Sequence, residues 1–301
     1  MPKTVATYVK VLFAAAMVFG LGYWVHSAYG WSNTLANWVK VSPFIVFATM
    51  VMVLISHIAR VARIHYAYNK QQPTAFRQTL AVSFVHNTVS FLLPMRLGEL
   101  ALPALSRHQL RIDVKYALAT LFLVRLFDAH VLLCLLVFFA GSLWLGEYSI
   151  IAPVALIAAL PIGMLLLKSA SSRIGKLEFA GPLLGKKRVW ISLYAYTLVI
   201  WCVKLFALAT LAAALGNLPI DHAWIATIIA DGSALSPVTG FANAGTFELA
   251  FTLPLLPLGY ESEPLVKTAV NVHLFIFVIN ICVGILGFLL LTPNKFANNS
   301  L

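Results

Sequence analysis

The chain has 301 residues, 61% of them apolar and 10% charged, with a formal net charge of +11 and a mean hydropathy of +0.89. A soluble domain is about 45–50% apolar and about 25% charged. The composition therefore excludes an ordinary water-soluble enzyme or binding module and makes the bilayer the main solvent.

Apolar runs lie at roughly 8–26, 41–58, 116–146, 149–167, 190–215 and 266–292. Each is near or above the ~20 residues that cross hydrocarbon as a helix. The first run lacks a clear cleavage site and is followed by further spans, so it reads as a span and not a signal peptide. Cys134, Cys202 and Cys282 fall inside apolar runs and read as small buried groups. His86, His130 and His273 are scattered, which suits packing or hydrogen bonding and gives no metal-ligand pattern. "GPLLGKK" at 181–187 has the wrong spacing for a phosphate loop and reads as a solvated basic loop. No cofactor motif is found.

Two apolar segments are broken. The first, about 78–105, carries Pro94, Arg96, Gly98, Glu99 and Pro103, with Asn87, Thr88 and Ser90 near the break. Proline removes a backbone donor and disfavours helix at the residue before it; glycine permits a tight bend. The second, about 223–257, carries Asp231, Pro237, Gly240, Asn243, Gly245 and Glu248. Non-helical backbone at membrane depth is tolerated only inside protein or beside a water-filled cavity.

The distribution of charge sets the expected topology and argues against nucleic acid as a partner. Sixteen of the 21 Lys and Arg fall in the N-terminus, the 60–77 loop (Arg60, Arg63, Lys70, Arg77), 107–115, 168–188 and the tail. The connections at 27–40, 146–149, 216–222 and 258–265 are nearly free of interior basic residues and hold Glu147, Asp221, Glu261 and Glu263. Short cytoplasmic loops collect Lys and Arg, so the basic stretches and both termini are expected in the cytoplasm. Segment 78–105 must then return to the side it came from, and 223–257 must do the same from outside. The expected fold is an all-α polytopic membrane protein forming a single domain over 1–301. It has about six full spans plus two re-entrant broken-helix segments, arranged as an inverted repeat of halves 1–147 and 148–301. The rival reading makes both broken segments full crossings and gives eight spans.

Seven ionisable residues remain at depth: Arg96, Glu99, Arg125, Asp128, Lys204, Asp231 and Glu248. A charge at the bilayer centre costs at least ~2.5–3.5 kcal/mol, so these must pair, neutralise or face water. Arg125 and Asp128, three apart, share a helix face and read either as a local ion pair or as the wall of a polar cavity shared with Arg96 and Glu99. Arg96 is the preferred ligand for an anionic headgroup, because a guanidinium grips phosphate with two hydrogen bonds and stays charged when buried. Glu99 and Glu248 read as arginine partners or proton carriers, Asp231 as a helix cap, and Lys204 as a snorkelling side chain.

"LPMRLGEL" (93–100), "LVRLFDAHVLL" (123–133) and "SPVTGFANAGTFELAF" (236–251) resemble, in order and spacing, the signature stretches of the lysylphosphatidylglycerol synthase transmembrane family, also described as the flippase-like membrane domain of the multiple peptide resistance factor proteins. The resemblance runs over essentially the whole chain. It places the family's motifs on Pro94, Arg96, Gly98 and Glu99, on Arg125 and Asp128, and on Pro237, Gly240, Gly245 and Glu248. With Asn243 these make the expected substrate site and re-entrant turns; "GFANAG" departs from the family's denser glycine run. No aminoacyl-transferase domain follows the last span, so the resemblance implies a standalone member and not lysyl-lipid synthesis. It implies a lipid translocator of a bacterial or archaeal cytoplasmic membrane, with anionic membrane lipids as partners. A second copy or a lipid-synthesis protein is left open as a further partner. The rival functions are an intramembrane lipid-modifying enzyme and a scaffold for a lipid-pathway synthase.

Overall fold

The computed structural model describes residues 30–144, 146–173, 181–184, 186–235 and 241–291, with Phe19, Tyr23, His26 and Ser27 ahead of them; the side chains of 94–96, 142–144, 147, 172, 181 and 182 stand outside that description. Most of the expected span at 8–26, the turn residues Pro237 and Gly240, and the side chains of Pro94 and Arg96 therefore lie outside the described residues.

Among the described residues every regular element is a helix. Five helices are long and apolar enough to cross a bilayer: Pro43–Tyr68, Val114–Gly141, Tyr148–Ser171, Lys187–Gly216 and Ser262–Leu290. The chain is a multi-pass, all-α membrane protein. The nine principal helices are α1 Pro43–Tyr68, α2 Phe76–Leu92, α3 Ala101–Leu110, α4 Val114–Trp144, α5 Ile151–Arg173, α6 Lys187–Gly216, α7 Ile220–Gly232, α8 Thr246–Thr252 and α9 Ser262–Leu290.

Helix α1 starts with Pro43 in its first turn and the Ser42 hydroxyl accepting from the Phe44 amide, a favourable N-terminus. It runs ten residues past the expected end at 58. Arg60 and Arg63 thus belong to the helix and not to a basic loop, and Arg63 is only 3% exposed. Sequence charge placed them in solvent, but the bundle supplies a carboxylate that keeps Arg63 inside. Cys134 is buried as expected; Cys202 and Cys282 are exposed on the outside of the bundle instead.

Both broken segments fold as helical hairpins. After α2 the chain makes a 3-10 turn, Pro94–Leu100, and α3 then packs back along α2. Gly98 sits so close to α2 that a Cβ would collide with the Val89 carbonyl and the Ser90 backbone. The two ends of the hairpin meet. Gln72 Nε2 donates to the Leu110 carbonyl at 2.6 Å, and Tyr68 and Ser106 hydroxyls bond at 2.8 Å. In the second half α8 packs back on α7, and His222 Nδ1 meets the Tyr260 hydroxyl at 2.7 Å where that hairpin opens.

The hairpins open at opposite ends of the bundle. Helices α1 and α6 are antiparallel, since Thr49 Oγ1 reaches the Ala207 carbonyl while Ser192 Oγ donates to the Tyr66 hydroxyl. The first hairpin opens at the Tyr68 and Lys187 end, where Lys70, Arg77, Arg107, Arg111 and Lys115 are exposed. The second opens at the Gly216 end, with Glu261 and Glu263 exposed. Helix α2 lies tightly on α9, where Gly284 and Gly287 leave room for Thr88 and Phe84. Small residues of this kind let membrane helices approach closely.

Candidate functional site

The hairpin tips converge on a cavity of about 110 Å³ at mid-length of the long helices. Helix α1 contributes His57 and Arg60, and α2 contributes Asn87 and Ser90. Glu99 comes from the first tip and Arg125 from α4. The lining also includes Trp201 and Lys204 of α6, Asp231 of α7 and Asn280 of α9. A cavity needs only about 10–15 Å³ per water, so this one has room for several waters or a small polar group.

One wall is a chain of ion pairs. Arg125 binds Glu99 with two nitrogens, Nε to Oε2 at 3.0 Å and Nη2 to Oε1 at 2.6 Å. Its third nitrogen, Nη1, donates to Asp128 Oδ2 at 3.0 Å. Asp128 is fully buried, and its other oxygen accepts from Arg63 Nη1 at 2.7 Å and from Trp201 Nε1 at 2.9 Å. Arg63 Nη1 also donates to Thr197 Oγ1 at 2.7 Å. A buried carboxylate is stable only with such a complete set of donors.

The cavity also holds a second ion pair, in which Lys204 donates to both oxygens of Asp231 at 2.8 and 2.6 Å. Lys204 therefore does not snorkel, and Asp231 serves as its partner. Trp201 stands between two cations, with Lys204 Nζ 5.5 Å and Arg60 Cζ 5.1 Å from its ring, the geometry of cation–π attraction. Among the described residues Arg60 makes no ion pair.

Glu248 lies apart from this cavity. It is 4% exposed and both oxygens are engaged: Oε1 with His273 Nδ1 at 2.6 Å, Oε2 with the Gly245 amide at 2.7 Å. His273 Nε2 in turn donates to the Ala242 carbonyl at 2.8 Å. This clasp holds a left-handed turn in which Ala242, Asn243 and Gly245 have φ of 48°, 63° and 79°. Asn243 Nδ2 donates to Ser233 Oγ at 2.9 Å, tying the tip to the end of α7.

Of the expected site residues, Glu99, Arg125 and Asp128 come together. Asn243 and Glu248 build the second tip, and Gly98 and Gly245 stand in the turns. The backbone of Arg96 lies on the first tip beside Glu99. Sequence reasoning missed His57, Arg60 and Arg63, whose helical spacing of three was visible in the chain, and Trp201, three positions before Lys204.

Some spacings recur along the chain. Lys204 and Asp231 are 27 positions apart, as are Arg60 and Asn87. Glu99 pairs with Arg125, 26 positions on; Glu248 pairs with His273, 25 positions on.

The chain matches the family described as the lysylphosphatidylglycerol synthase TM region over residues 9–284. It belongs to that family. The lysylphosphatidylglycerol synthase TM region is a transmembrane region and not a catalytic domain, and the match takes in both hairpins, the cavity and the clasp. A search of curated proteins finds no match.

Proposed function

We propose that this member of the family is a lipid translocator. An anionic or phosphate-bearing headgroup crosses through the central cavity while the acyl tails stay in hydrocarbon; phospholipids and polyprenyl-phosphate-linked lipids both fit. The observation that carries the reading is the convergence of two broken hairpins, open at opposite ends of the bundle, on one charged cavity at mid-depth. Transporters built from inverted repeats hold their substrates in this way.

In this reading 78–105 and 223–257 are re-entrant, and the halves 1–147 and 148–301 are related by inversion. The Gln72–Leu110 and His222–Tyr260 contacts support it, since each joins the two feet of one hairpin. Those contacts weigh against eight spans. The exposed basic residues at the first hairpin's feet favour a cytoplasmic position for that end, with both termini on the same side of an inner membrane. Arg96 and Glu99, together on the first tip, are the proposed headgroup contacts. Arg125 receives the headgroup when Glu99 lets go of it.

The purified protein in liposomes, with a headgroup-labelled phosphatidylglycerol in the inner leaflet, tests the proposal. Label appearing outside, with lipid mass unchanged, is the expected result. Altered lipid mass points to an enzyme instead, and neither change leaves the translocator reading without support.

A further inference from the structure

The central cavity takes lining residues from both halves of the chain, and at one shared spacing the two sides differ in charge. On the second side Lys204 of α6 faces Asp231 of α7 and is neutralised by it. On the first side, at the same spacing, Arg60 of α1 and Asn87 of α2 both line the cavity. Helices α1 and α2 pack together as α6 and α7 do. An amide cannot neutralise a guanidinium, so Arg60 has no carboxylate bound to it among the described residues; Asp128 and Asp231 act on it only from a distance and already answer Arg63, Arg125 and Lys204. The Trp201 ring lies 5.1 Å from the Arg60 guanidinium carbon.

The loose ends of polar chemistry collect on the same side. Among the described residues, buried polar atoms without a hydrogen-bond partner include His57 Nδ1, Asn87 Nδ2, Arg63 Nε and Ser83 Oγ. His57 and Asn87 line the central cavity. Arg63 and Ser83 line a small adjoining one, about 20 Å³, which Arg60 and Asn87 also border. Buried polar groups in native proteins are normally satisfied, and an unsatisfied cluster calls for a missing partner. Asn87 Nδ2 and Arg63 Nε are donors, the Ser83 hydroxyl can act as one, and donors beside a cation with no carboxylate bound to it suit an anion with several acceptor oxygens.

We propose that Arg60 and Asn87 form an anion subsite in the first-half wall of the cavity, where a phosphate-type group of the ligand takes the place that Asp231 takes beside Lys204. The inference deepens the translocator reading by naming the residues that hold the headgroup's charge, and it rests on that reading only for the source of the anion. Lipid headgroups and free phosphate share this chemistry.

The test is binding by the full-length protein in neutral detergent, with short-chain phosphatidylglycerol and inorganic phosphate as separate probes. Asn87→Asp copies the second half's pairing onto the first and neutralises Arg60 from within. It is expected to fold with unchanged or higher thermal stability and to lose anion affinity by at least about tenfold, the loss of one charge-assisted hydrogen bond. Arg60→Gln is expected to lose it as well. Asp231→Asn, which frees Lys204 in the same way, is expected to gain anion affinity. Binding of the lipid alone assigns the subsite to a headgroup, and binding of both probes assigns it to phosphate in general. Wild-type affinity retained in Asn87→Asp or Arg60→Gln overturns the proposal, as does a wild type that binds neither probe. Anion binding at Arg60 without lipid movement in liposomes would leave the subsite standing and remove the translocator, and lipid movement indifferent to both variants would do the reverse.

Discussion

Glu99 and Arg125 hold the first hairpin tip to α4 through a two-point ion pair, at 2.6 and 3.0 Å, that faces the central cavity. At the second tip the pair Glu248 with His273 is buried away from the cavity and bonded on every side. The two tips are therefore held differently. The first hangs on charges that a ligand can reach, whereas the second is clamped by groups that it does not meet.

Substitution of the first pair should separate transport from folding. Glu99→Gln keeps a hydrogen-bonding side chain and leaves Arg125 paired with Asp128, so the stability loss should stay within about 1.5–3 kcal/mol. Headgroup movement in liposomes should fall to background, because the exchange between Glu99 and the ligand at Arg125 is lost. Movement at the wild-type rate would mean that the pair is only structural. Arg96→Lys on the same tip should keep partial movement and Arg96→Ala almost none, since lysine preserves the charge and loses the two-nitrogen grip.

Asp128 should be the most costly of the buried charges to alter. Its two oxygens answer Arg63, Arg125 and Trp201 at once. Asp128→Asn leaves two guanidinium groups short of charge in the bundle, and breaking a buried pair in this way costs about 3–5 kcal/mol. Thermal unfolding in detergent should show a larger drop than for Glu99→Gln. Adding Arg63→Met to Asp128→Asn should recover part of it, because Arg125 retains Glu99. Equal stabilities across these variants would show that water, and not Asp128, solvates the arginines.

The second tip yields a prediction about backbone strain. Ala242 is fully buried with φ of 48°, a left-handed conformation that costs a non-glycine residue about 1–2 kcal/mol. Ala242→Gly should raise the melting temperature or leave it unchanged. His273→Gln should lower it, by releasing Glu248 and the Ala242 carbonyl together. A fall in stability for Ala242→Gly would indicate that packing of the methyl group outweighs the strain.

Much of this architecture can be read in the chain before any coordinates. The pairing of Pro94 with Gly98, and the polar residues around Pro237, mark two breaks because a helix in hydrocarbon has no other use for them. Arg125 and Asp128 announce their contact by a spacing of three. Arg60 and Arg63 are harder to read. They sit at the end of an apolar run, where positive charge ordinarily means a loop, and only the position of Asp128 on another helix reveals that they point inward. Glu248 misleads in the opposite sense. A carboxylate beside a glycine turn looks available for a ligand, but His273 and the Gly245 amide take both of its oxygens. Partners distant in sequence decide which charges are free, and sequence spacing alone does not report them.

Topology gives the most direct test of the two-hairpin arrangement. Arg107 lies near the foot of the first hairpin and Glu261 near the foot of the second, and both are exposed. In a background lacking Cys134, Cys202 and Cys282, Arg107→Cys and Glu261→Cys are expected to react with a membrane-impermeant maleimide from opposite sides, Glu261→Cys in intact cells and Arg107→Cys only after the membrane is opened. Gln71→Cys should behave as Arg107→Cys does, because the Gln72 and Leu110 contact joins the two feet. If 78–105 crossed the membrane completely, Gln71→Cys and Arg107→Cys would label from different sides. That outcome would break the first hairpin's assignment and, with it, the inverted relation between the halves on which the shared cavity depends.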